Sequence, residues 1–113
     1  MAQVTTRVVR AEVVLSPGTD DAALGAAVTV ALCGHWEHDG PCRWPHHNAL
    51  VAEVSPARFR TVVVCNDADD REVRRRIESA LLGGDAWRVL SVAAGAPSET
   101  EAALGERLAR GAA

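Results

Sequence analysis

The chain has 113 residues and a formal net charge of −3, with apolar residues making up 48 % of it. That fits a single domain, residues 1–113, with a core of ordinary size, and it lacks the global basic field that would argue for nucleic acid. No stretch approaches the roughly 20 apolar residues of a membrane span, and residues 1–10 lack the charged start and apolar run of a signal peptide, so a cytoplasmic protein is expected.

Residues 5–15 alternate, with Val9, Ala11, Val13 and Leu15 on one face, which predicts a first strand. Pro17 and Gly18 end it. Thr19 then caps a helix with Asp20 and Asp21 in its first turn, and Leu24, Ala27, Val28, Ala31 and Leu32 follow at helical spacing. This helix is expected to stop near Cys33 and Gly34.

Residues 33–47 break every pattern. All four histidines, His35, His38, His46 and His47, lie here, with two of the three cysteines, Cys33 and Cys42. Thiolate and imidazole together suit zinc or another transition metal. Closing an irregular loop costs conformational entropy, which a bound ion offsets. The spacing, Cys-x-His-x2-His-x3-Cys-x3-His-His, is no standard zinc-finger pattern.

Residues 48–54 and 59–65 predict two Val-rich strands joined by a tight turn with Pro56 and Ala57 at its tip. That register sets Glu53 opposite Arg60 and Asn48 opposite Cys65, and Glu53–Arg60 makes a complementary cross-strand pair. Leu50, Phe59, Thr61, Val63 and Cys65 then share one face. Asn66, Asp67, Asp69 and Asp70 cap a second helix, whose buried stripe is Val73, Ile77, Ala80 and Leu81. Gly83 and Gly84 stop it. Residues 86–92 predict a fourth strand, and Ser98 with Glu101 forms a capping box before a last helix bearing Leu104 and Leu108.

The predicted order is βαββαβ with an extra C-terminal helix: an α+β chain of the ferredoxin-like split βαβ kind, built on a four-stranded antiparallel sheet. In such a chain Cys65, ending the third strand, approaches the loop from the same end of the sheet. The candidate metal ligands are Cys33, His35, His38, Cys42, His46 and Cys65. Cys33, Cys42 and Cys65 with one histidine make a closed Cys3His site. Two cysteines and two histidines make another, leaving Cys65 in the core. A Cys33–Cys42 disulfide is the plain alternative for that pair, and a reducing cytoplasm argues against it.

Three functions follow. The first is a structural, sensing or recognition module held by zinc, with Trp36, Pro41, Trp44 and Pro45 as its surface, unless Trp36 and Trp44 simply plug the open end of a sheet poor in aromatics. The second is an enzyme using an open metal site, or Cys42 activated by His38 or His46. The third is an interaction protein. Val8, Val14, Ala49, Val51, Val62 and Val64 face away from the first two helices and need a cover. The C-terminal helix, a protein partner or a second copy in a homodimer can supply it.

Overall fold

The computed structural model describes residues 4–33 and 43–110. Within these residues four strands and three helices follow in the order β1 (Val4–Leu15), α1 (Ala23–Cys33), β2 (His46–Val51), β3 (Ala57–Asn66), α2 (Asp70–Leu82), β4 (Trp87–Gly95) and α3 (Glu99–Ala109). The strands form one sheet in the order β2-β3-β1-β4. Every neighbouring pair is antiparallel. The chain is thus an α+β protein.

The alternation in β1 does what its sequence predicts. Val9, Ala11 and Val13 face inward with Phe59, Val63 and Cys65 of β3. The stripes of α1 (Leu24, Val28, Leu32) and α2 (Val73, Ile77, Leu81) close over them, and all six helical residues are at most 3 % exposed. Burial of this aliphatic layer is the main term holding the fold, at roughly 1.5–3 kcal/mol for each large side chain.

Two local expectations are corrected. Helix α1 begins at Ala23, not beside Thr19. The Thr19 hydroxyl donates to the Ala86 carbonyl at 3.0 Å, tying the turn before α1 to the start of β4, and the Asp20 carboxylate accepts from the Ala22 N–H at 2.8 Å. The β2–β3 register is also shifted by four residues. Asn48 faces Thr61 and Leu50 faces Phe59, and Arg60 faces Ala49, not Glu53. An even shift leaves the paired side chains on their expected faces, while Val54, expected inward, lies beyond β2 and is 40 % exposed.

The capping box of α3 is present in full: the Ser98 hydroxyl accepts from the Glu101 N–H, and the Glu101 carboxylate accepts from the Ser98 N–H. Helix α3 lies on the outward face of the sheet. Its Leu108 packs with Val8, Val62 and Val64, and Leu104 adds to that cluster. Gly105 allows the close approach, because a Cβ there would overlap Thr6 of β1. The C-terminal helix is therefore the cover for three of the six outward apolar residues, while Val14 and Val51 remain 41 % and 47 % exposed.

Candidate functional site

The candidate ligands fall at the ends of regular elements because the loop between α1 and β2 is bounded by them. Cys33 is the last residue of α1 and His46 the first of β2, while Cys65 is the next-to-last residue of β3. His35, His38 and Cys42 lie outside the described residues, as do Trp36 and Pro41.

Cys33 is disulfide-bonded, whereas Cys65 is a free, buried thiol. Both pack on the main core. Burial pushes the Cys65 thiol up from its usual range, against the nearby Arg7 charge, which favours the thiolate. Arg7 itself is held by Asp67 and Asp70 at the start of α2. The acidic cluster there thus binds arginine side chains and offsets a helix N-terminus.

Trp44, only 3 % exposed, packs into the same core cluster as Cys65. Its indole N–H donates to the Asp69 carboxylate at 3.1 Å. The guanidinium groups of Arg43 and Arg76 lie 4.6 and 4.9 Å from the ring centroid, within cation–π range. Arg76 also donates to the Ala31 carbonyl near the end of α1. Trp44 therefore plugs the end of the core and fastens the loop to α2. Of its two expected places, a recognition surface and a plug at the open end of the sheet, burial agrees with the second.

His46 and Cys65 are diagonal neighbours on the inward face, since His46 pairs with Val63. The His46 ring is already engaged on both sides. Its Nδ1 is 3.0 Å from the Trp44 carbonyl, which can only accept, so Nδ1 carries the proton. Its Nε2 then accepts from the Thr29 hydroxyl at 3.0 Å. Burial depresses the His46 pKa, partly opposed by the Trp44 carbonyl, and so favours the neutral ring.

Sequence reasoning missed the polar chain that continues from this pair. The Asn48 amide donates to Thr29 Oγ1 at 3.3 Å and to the Gly25 carbonyl at 3.1 Å, and its Oδ1 accepts from the buried Thr61 hydroxyl at 2.8 Å. Gly25 lets α1 come this close, since a Cβ there would sit 3.2 Å from the Asn48 Cβ. The chain borders a cleft of about 300 Å³ between α1 and β2 that His46, Thr29 and Asn48 line. Its sequence signal is three polar residues, His46, Asn48 and Thr61, at inward positions of neighbouring strands.

Among the described residues no group of three or more His, Cys, Asp or Glu is placed to hold a metal ion. No described helix is long and apolar enough to cross a membrane. Compared with protein-family models, with curated proteins and with solved structures, the chain gives no match.

Proposed function

We propose that this chain is a small metal-binding domain whose 33–47 loop holds zinc, or another transition metal, in a structural or thiol-sensing site. The observation that carries the reading is the gathering of four histidines and two of three cysteines into one loop, whose first thiol already reaches a second sulfur. A disulfide needs two sulfurs at bonding distance. In the reduced chain the same proximity offers two thiolates to one ion.

Of the candidate ligands, Cys33, His35, His38 and Cys42 form the preferred Cys2His2 set. Cys65 is buried in the core, and His46 has Thr29 on its Nε2, so each would join only after a rearrangement. A two-electron oxidant such as a peroxide, itself reduced, takes two electrons and two protons from two loop thiols and leaves a disulfide with no loop thiolate for the metal. The disulfide form is then the metal-free state of the same loop, and a reducing cytoplasm favours the other.

The test is elemental analysis of reduced protein purified without an affinity tag. About one metal per chain is expected, lost in Cys33→Ser and retained in Cys65→Ser. Reduced protein that carries no metal, and whose melting a chelator leaves unchanged, would sink the reading.

The strand order, the antiparallel pairing and the placing of α1 and α2 on one face support the finer assignment to the ferredoxin-like split βαβ arrangement. A catalytic role has one observation in its favour: the Thr29 hydroxyl donates to a neutral imidazole beside an open cleft. A cobalt-substituted site whose spectrum responds to added anions would favour catalysis, and a closed thiolate-rich spectrum would not. A protein partner or second copy on the sheet would use Val14 and Val51, which α3 leaves uncovered, and sedimentation of the intact chain reads it.

A further inference from the structure

Beyond α3, the outward face of the sheet carries a cleft of about 530 Å³ that Arg10, Glu12, Arg58, Arg60, Ser91 and Ala93 border. The register places Arg10 directly opposite Arg60 and Glu12 opposite Arg58. Like charges facing each other across two strands destabilise a sheet unless something neutralises them.

The fold neutralises one of the three guanidinium groups. Arg60 donates from Nε and Nη2 to the Glu101 carboxylate, each at 2.8 Å, and from Nη2 to the Ala96 carbonyl at 3.1 Å. Glu12 accepts from the Ser91 hydroxyl at 3.3 Å. Among the described residues, the Arg10 and Arg58 side chains make no hydrogen bond or ion pair. Two uncommitted guanidinium groups therefore stand on neighbouring strands around a third that α3 holds in place.

We propose that this cleft binds a small phosphate-bearing molecule, independently of the metal loop. Planar, forked donors match phosphate oxygens, and arginine keeps its charge at any physiological pH. Arg10 and Arg58 supply the donors. Arg60 is already ordered by Glu101 and Ala96, so its charge is in place before the ligand arrives. The volume falls within the roughly 300–1,000 Å³ usual for small-molecule sites, which leaves room for the body of a ligand beside its phosphate. Glu12 and Ser91 at the margin suit a ligand hydroxyl.

The probe is inorganic pyrophosphate, titrated into the intact protein at fixed ionic strength and followed by calorimetry. Saturable binding is expected. The double variant Arg10→Gln/Arg58→Gln weakens it by about tenfold or more, as loss of charge-assisted bonds implies. Glu12→Gln, which removes the neighbouring negative charge, tightens it. Cys33→Ser leaves it unchanged, which separates this site from the loop. Arg10 and Arg58 are exposed, so the variants should melt as the parent does. Absence of saturation, or undiminished affinity in the double variant, overturns the proposal. So does tighter binding to a single-stranded oligonucleotide that grows with its length, because the face would then serve nucleic acid.

Discussion

Under α1 and α2 the sheet presents Val9, Val13, Phe59 and Val63, none more than 1 % exposed, whereas under α3 it presents Val8, Val62 and Val64 at 2–3 %. The figures are close, but the construction differs. The inward face is covered along its length by two helices and continues into the larger side chains Phe59, Leu24 and Ile77. The outward face is covered for part of its length by a single helix, and past that helix its positions go to arginine. An antiparallel sheet needs only one face for its core. Here the second face splits its residues between stability and an open, charged surface.

The largest effect that would sharpen this contrast is on the inward side. Phe59→Ala removes the largest fully buried side chain among the described residues and should cost about 3–5 kcal/mol, measured as a lower denaturant midpoint. If Val62→Ala on the outward face cost as much, the two faces would not differ as described. Leu108→Ala should come next, at about 2–4 kcal/mol. Its companion is a chain ending at Pro97, which bares Val8, Val62 and Val64 and should self-associate in sedimentation. An unchanged monomer would mean that α3 is not the cover.

The smallest effect concerns the ion pair that fastens α3. Hydrogen bonding from Arg60, helped by the Ser98 N–H, holds the Glu101 carboxyl down at about 2 against an ordinary 4.5. A carboxyl depressed in the folded state contributes stability that is complete above its unfolded pKa. That contribution should fade as pH falls from 4.5 towards 2. Arg60 is 37 % exposed, so solvent screening limits the contribution to below about 1 kcal/mol. Glu101→Gln should flatten this part of the acid limb of stability. An acid limb identical to the parent's would show that the pair does not hold α3.

Much of the fold was legible because it is written in local patterns. The alternation of β1, the stripes of α1 and α2, the double-glycine stop and the capping box each need only a few neighbouring residues. The β2–β3 register was not. Glu53 and Arg60 looked complementary across a short turn, yet Arg60 binds Glu101, 41 residues away in sequence. No local pattern encodes that contact. Thr19 misled for the same reason, since its hydroxyl goes to Ala86, 67 residues on.

At the candidate site, composition marked the loop and topology set Cys33, His46 and Cys65 around its described ends. What composition could not give was the hold on Trp44 from Asp69 and Arg76, or the Thr29 hydroxyl on His46. Both depend on how α1 and α2 settle on the sheet. The arginine cleft was less visible: the strand patterns set Arg10 and Arg60 outward, but Arg58 fell in the expected turn, and only the observed register brings Arg10 opposite Arg60 and Arg58 opposite Glu12.

The even offset between the expected and observed hairpin bears on how this domain can change over generations. A strand distinguishes inside from outside by parity alone. The tip from 52 to 56 can therefore gain or lose residues in pairs while Leu50, Phe59 and Thr61 stay in the core. A single insertion that slid β2 by one position would turn His46, Asn48 and Leu50 out to solvent and set His47, Ala49 and Val51 against the helices. That tip lies beside Arg58, at the rim of the outward cleft, so its length is a variable that can reshape what the cleft admits without disturbing the layer that keeps the protein folded.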